Sequence, residues 1–330
     1  MSDIKKNISR IDEIHQWLKT IFPSTNYVME AASNDASFRR YFRITEQANT
    51  LILMDAPPAQ EDIDSFIDIG IFLHEQGIHV PKIYARNTTL GFLLLSDFGH
   101  QSYLDQLNEH SADTLYKAAI DSLIKMQLCS TQGINIPLYN KALLQQEMTM
   151  FPDWFLDKHL NIEPPAFLTA TFDDLTTSAL AQPQVFVHRD YHSRNLMHTT
   201  NNSPGIIDFQ DAVIGGITYD LVSLLRDCYI AWPDQKINHW LEYYFTSAQL
   251  QGLLADVSIE QFRQWFDWMG LQRHIKILGI FCRLNYRDNK ANYMNDLPLT
   301  LQYIRKISAQ YPEFSELNHF LQQQPKIVAI

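Results

Sequence analysis

Two aspartates and one asparagine hold the spacing most suggestive of chemistry: Asp190, Asn195 five residues on, and Asp208 at the end of an apolar run. Asp190 suits the carboxylate that phosphoryl transfer needs, one that orients an attacking hydroxyl and accepts its proton. The same reaction needs oxygen ligands for Mg2+ bridging nucleotide phosphates, and Asn195 and Asp208 could supply them. The elements that must position these residues are short. Val185-Phe186-Val187 reads as a strand leading into His188-Arg189-Asp190, and the polar stretch Thr199 to Gly205, with Pro204-Gly205, reads as a turn. Ile206-Ile207 then leads into Asp208-Phe209. A hairpin-like loop of this kind brings the three side chains around one cavity although 18 positions separate the two aspartates.

H-R-D-x-x-x-x-N followed by D-F is the pairing of catalytic loop and metal aspartate found in kinases. Asp97-Phe98-Gly99 spells the metal motif too, but it lies 91 residues before His188, whereas the metal aspartate follows the catalytic loop. Asp97 is therefore expected at a hinge or a helix N-cap. Only 12 residues separate Asp208 from Asp220, too few for the segment with which protein kinases seat a peptide, so a small-molecule acceptor is expected. Asp220, among apolar neighbours at a helix start, is expected to brace the loop, and His188 to support it by hydrogen bonding. His188 and His192 are four apart but in a loop with no third ligand, which argues against zinc.

The chain has 330 residues, 46% of them hydrophobic, enough for a large core split between two lobes. A net charge of −11 and a pI near 5.5 argue against a nucleic-acid partner. Cys129, Cys228 and Cys282 are odd in number and lack C-x-x-C spacing, as expected of buried free thiols in a reducing compartment. With no apolar leader and no run of membrane-spanning length, a soluble cytoplasmic protein is expected, without a membrane partner.

Ile8, Ile11, Ile14, Leu18 and Ile21 space an amphipathic helix that Pro23 ends. Tyr27-Val-Met, Phe38 to Ile44 and Thr50 to Met54 read as three strands. The loop Ser33-Asn34-Asp35-Ala36-Ser37, with Phe38, is placed to cover ATP phosphates through backbone N–H groups. It holds no glycine, so Ser33, Asn34 and Asp35 would have to turn it. The third strand, Leu51-Ile-Leu-Met-Asp55, also lacks the lysine that grips phosphates in kinases. Either a nearby arginine, Arg39, Arg40 or Arg43, substitutes, or metal ions do most of the neutralising. A helix ending at Gly77 and strands at Val80–Tyr84 and Gly91–Leu95 complete a five-stranded small lobe, with Ser96-Asp97-Phe98 at the hinge facing adenine. Beyond it the pattern is helical: Ser102 to Leu128, 141 to 180, a helix from Thr218 or Asp220 after a Gly215-Gly216 turn, and a long amphipathic stretch through Phe262, Met269, Leu278 and Leu284.

With these motifs the chain resembles the aminoglycoside phosphotransferase/choline kinase-like family, and within it the bacterial N-acetylmuramate/N-acetylglucosamine anomeric kinases of cell-wall recycling. The resemblance rests on Asp35–Arg43, Met54–Pro58, Gly91–Asp97, His188–Asn195, Ile207–Ala212 and Thr218–Asp227, with Arg273-His274, Gly279-Ile-Phe281 and Asp296-Leu-Pro298. It implies an α+β, bilobal protein-kinase-like fold, with residues 1–97 as a small antiparallel N-lobe and 98–330 as a helical C-lobe. It implies ATP and Mg2+ as cofactors and phosphorylation of an amino sugar at its anomeric hydroxyl, by a monomer. Asp190 would be the base, Asn195 and Asp208 the metal ligands, and residues 33–38, Arg40, Ser96, Asp97 and Phe98 would bind nucleotide. Arg226, Asp227, Arg273 and Arg283 are candidate sugar contacts, with surface salt bridges as the alternative. An aminoglycoside- or choline-type acceptor is the rival reading, and a non-catalytic pseudokinase-like binding module another.

Overall fold

The computed structural model describes residues 2–22, 26–34 and 38–330, with the side chains of residues 2–9, 33 and 34 outside the description. Pro23 and, in the expected phosphate loop, Asp35, Ala36 and Ser37 thus lie outside the described residues. The chain divides into two compact units, Met1–Gly99 and His100–Ile330.

The first unit comprises α1 (Ser2–Ile21), β1 (Val28–Asn34), β2 (Arg40–Glu46), β3 (Asn49–Asp55), α2 (Asp64–Glu75), β4 (Ile83–Asn87) and β5 (Phe92–Ser96). The strands form one antiparallel sheet in the order β1-β2-β3-β5-β4, the five-stranded arrangement expected. Ile14, Trp17 and Leu18, three or four residues apart on α1, form a core with Ile44, Leu53, Phe92 and Leu94 of the sheet. Each such side chain contributes about 1.5–3 kcal/mol through its burial. Gly91 lets β5 begin beside the end of β3. Its φ is +71°, and a Cβ there would meet the Ala56 carbonyl oxygen at 1.9 Å.

The second unit begins with α3 (Tyr103–Gln106), α4 (Ala112–Gln127), α5 (Lys141–Met148), a π-helical segment Phe151–His159 and α6 (Leu168–Leu180). Four short strands follow: β6 (Gln184–Val187), β7 (Leu196–Met197), β8 (Gly205–Ile206) and β9 (Val213–Gly216). The rest is helical, chiefly α7 (Tyr219–Leu225), α8 (Asp234–Leu250), α9 (Ile259–Asp288) and α10 (Leu297–Ser308). Ile275, Leu278 and Cys282 of α9 join Phe151, Phe155, Leu301 and Ile304 in one hydrophobic core of this unit.

Two expectations are corrected, for Gly215-Gly216 and for α9, and one of the two places expected for Asp97 is removed. Gly215-Gly216 is no turn: both residues lie in β9, opposite Val185 and Gln184 of β6. They are glycines because neighbours press on the strand; a Cβ on Gly216 would lie 2.8 Å from Gln182 Oε1 and 3.0 Å from the Ala179 carbonyl. Asp97 caps no helix, since Ser102 and Asp105 form the capping box of α3. Finally, α9 is not amphipathic in its middle, because residues Met269 to Gly279 are all buried, charged ones included. Among the cysteines, all three are free, Cys228 and Cys282 buried and Cys129 only partly so.

Candidate active site

The loop after β6 is held from behind by one carboxylate. Asp220, in the first turn of α7 and fully buried, accepts the backbone N–H of His188 at 2.6 Å and of Arg189 at 2.9 Å, one on each oxygen. Arg189 sits at φ +76°, a left-handed conformation that a non-glycine residue keeps only when its surroundings hold it. Burial pushes the Asp220 carboxyl up to about 7, against the two amides that favour its ionised form.

His188 secures the other side. Its Nε2 lies 3.0 Å from the Ile207 carbonyl, and its Nδ1 lies 3.3 Å from the Asp190 backbone N–H. A carbonyl can only accept and an amide N–H only donate, so the ring carries its proton on Nε2 and is neutral. Burial lowers its pKa to about 4, in keeping with that state. The residue ties the start of the Asp190 loop to the residue just before Asp208. A further brace, Asp227, accepts the N–H of Ser193 at 3.0 Å and its hydroxyl at 2.5 Å.

With the loop fixed, Asn195 bridges the two aspartates. Its Nδ2 donates to the Asp190 carbonyl at 3.0 Å and to Asp208 Oδ2 at 3.3 Å. Both bonds use Nδ2, so Oδ1 is the atom that remains for a cation. Asp208, at φ +67°, accepts the Gln210 amide on Oδ1 at 2.7 Å. An amide oxygen and a carboxylate, completed by phosphate oxygens and water, fit Mg2+, which seldom takes an all-protein cage. Among the described residues no cluster of three or more His, Cys, Asp or Glu could hold a metal.

Asp190 itself is ionised. Burial acts to raise its pKa, but the charges of His192, Lys276, Arg273 and Arg189 outweigh it and hold the carboxyl below its usual range. Sequence reasoning missed the anchor of this positive field. Glu147 of α5 pairs with Lys276 at 2.9 Å and with Arg189, and accepts the Tyr139 hydroxyl. Lys276 also donates to the Tyr219 hydroxyl at 3.0 Å. A lysine set between Ile275 and Ile277 on α9 was the available signal; nothing marked Glu147.

Of the four candidate sugar contacts, Asp227 is taken up by Ser193 and by the Tyr229 N–H. Arg226 pairs with Asp267 and lies 4.4 Å above the Phe266 ring. Arg273 is buried 5.9 Å from the Tyr219 ring centroid, and Arg283 lies partly buried near Met150. None of these makes the plain surface salt bridge that was the alternative.

In the first unit, Arg40 and Arg10 both bind the buried Asp55, and Arg43 binds Asp97 at 2.6 Å and the Gly99 carbonyl at 2.8 Å. Ser96 exchanges hydrogen bonds with the backbone of Lys82, and Phe98 lies against the His79 ring. Arg39 pairs with Glu61 at 3.1 Å, just ahead of α2, and Glu61 also accepts the Phe38 N–H. Kinases make a comparable basic–acidic pair from the third-strand lysine and a helix glutamate.

A family model described as the phosphotransferase enzyme family matches residues 28–255. The chain belongs to the phosphotransferase enzyme family. This phosphotransferase is 41% identical over 333 residues to an N-acetylmuramate/N-acetylglucosamine kinase of Pseudomonas aeruginosa, covering 96% of this chain and 98% of the relative. A protein of the same name from Neisseria meningitidis is 37% identical over 314 residues, covering 92% and 93%. Among solved structures, an aminoglycoside 2'-phosphotransferase-IIIa in complex with GDP superposes with a TM-score of 0.64 at 15% identity, over 89% of this chain and 98% of the other. A choline/ethanolamine kinase family protein from Mesorhizobium loti gives 0.62 at 13% identity, over 96% and 100%. These two likenesses establish the protein-kinase-like fold and nothing finer.

Proposed function

We propose that this phosphotransferase transfers the γ-phosphoryl group of ATP to the anomeric hydroxyl of N-acetylmuramate or N-acetylglucosamine, giving the sugar 1-phosphate for peptidoglycan recycling. The acceptor is inferred from relatives of that printed name that match almost the whole chain. The observation that carries the chemistry is the Asn195 bridge between the Asp190 loop and Asp208. We assign residues 1–97 to the nucleotide-covering lobe and 98–330 to catalysis, in a cytoplasmic monomer. Among the described residues no helix is long and apolar enough to cross a membrane.

In this reading Asp190 accepts a hydrogen bond from the sugar hydroxyl, aims its oxygen at phosphorus and takes the proton as the bond to phosphorus forms. A carboxylate held ionised is a weak base, which suits a loose transition state where proton transfer comes late. Asn195 Oδ1 and Asp208 would hold Mg2+, which when bound neutralises charge on the phosphates. The cations around Asp190 favour an anionic or neutral acceptor over an aminoglycoside or choline, and the intact trio of acid and metal-binding residues speaks against a pseudokinase. Arg39, through its pair with Glu61, is our candidate for the missing lysine. Incubation with Mg-ATP and either sugar should release ADP, and Asp190→Asn and Asp208→Ala should abolish it; no release by the wild type, or retained release by the variants, refutes the proposal.

A further inference from the structure

We propose that Arg283 reads the carboxylate that distinguishes N-acetylmuramate from N-acetylglucosamine, an inference that rests on the amino-sugar reading above. Arg283 is seven residues beyond Lys276 on α9, two helical turns, and so on the same face as a cation whose charge acts on Asp190. The rise between them is about 10 Å, a span that a monosaccharide with a lactyl ether and an arginine side chain cover together.

What sets this arginine apart is that it has no acid within salt-bridge distance among the described residues and yet is only partly buried, whereas Arg273, which also has none, is buried. Lys276 and Arg189 share Glu147, Arg226 has Asp267, and Arg287, one turn on, has Asp288 at 2.8 Å. The one hydrogen bond Arg283 makes among the described residues runs from Nη1 to the Met150 thioether at 3.7 Å, and its buried Nε has no partner. A thioether is a weak acceptor. Burial and the Arg287 charge both disfavour the protonated guanidinium, and Asp288 and Glu147 compensate only from a distance. A partly buried cation left in this state gains most from a ligand that brings its own carboxylate. The site is also rigid: Gly279, one turn before Arg283, lies so close to the Met150 backbone that a Cβ would come within 2.2 Å of it.

The test compares both sugars with wild type, Arg283→Gln and Arg283→Lys. For Arg283→Gln, kcat/KM on N-acetylmuramate should fall roughly tenfold to a hundredfold, mainly through KM, as expected for loss of a charge-assisted hydrogen bond. On N-acetylglucosamine it should stay within about twofold. Arg283→Lys should recover part of the loss, and a thermal unfolding curve guards against a folding defect. Equal losses on both sugars, or none on either, overturn the assignment. Failure of the wild type to phosphorylate either sugar would overturn the amino-sugar reading and this assignment with it.

Discussion

Replacing Asp220 by asparagine removes one of two oxygens from a site where two N–H groups arrive together. The His188 and Arg189 amides reach the carboxylate at 2.6 and 2.9 Å, and the residue is fully buried. An asparagine satisfies one amide and turns its own NH2 towards the other. Leaving a buried donor unmet costs about 1–3 kcal/mol. Arg189 loses a restraint on its φ of +76°, a strain on the order of 1–3 kcal/mol that the carboxylate now holds in place. Asp220→Asn should therefore lose about 2–3 kcal/mol of folding stability in urea unfolding at about pH 8, where the wild-type carboxylate is ionised. Because the strained residue adjoins Asp190, kcat should also fall by roughly tenfold or more, as expected when a reacting group is misplaced by a fraction of an ångström. A variant within about 0.5 kcal/mol of wild type and with unchanged kcat would refute the role given to Asp220.

Acid should destabilise the fold through His274, whose Nε2 lies 2.9 Å from the Arg226 carbonyl and whose pKa burial lowers from 6.5 to about 3. The unfolded chain takes up this proton near 6.5 and the folded chain does not, so the stability is complete above 6.5 and drains away as pH falls towards 3. From pH 6.5 down to pH 5 the loss is about 2 kcal/mol, and His274→Gln, which keeps a donor but cannot titrate, should remove it from the urea-unfolding profile. Gly216→Ala should cost at least about 1–3 kcal/mol by overpacking, since its methyl group would press on Gln182, Met269 and the Ala179 carbonyl; a melting temperature equal to wild type would show that β9 can shift.

What the sequence revealed follows from which constraints are local. The brace at Asp220 and the meeting of Asn195 with Asp208 were legible because those residues stand at short spacing around one loop. The sheet of the first unit was legible from alternation and turn residues. Glu147 was not, because its partners Lys276 and Arg189 are 129 and 42 residues away and only tertiary packing unites them. Gly215-Gly216 was misread for a related reason: a glycine demanded by a neighbouring helix looks in sequence like one demanded by a turn. The middle of α9 hid its buried charges in the same way, since helical periodicity marks an apolar face through Met269 and Leu278 without saying that the opposite face is covered as well.

The most direct test is the identity of the product. Phosphorus NMR of a reaction with Mg-ATP and N-acetylmuramate or N-acetylglucosamine should show a new phosphomonoester coupled to the anomeric proton. A phosphomonoester on another hydroxyl, or ADP formation only with an aminoglycoside or choline, would contradict it.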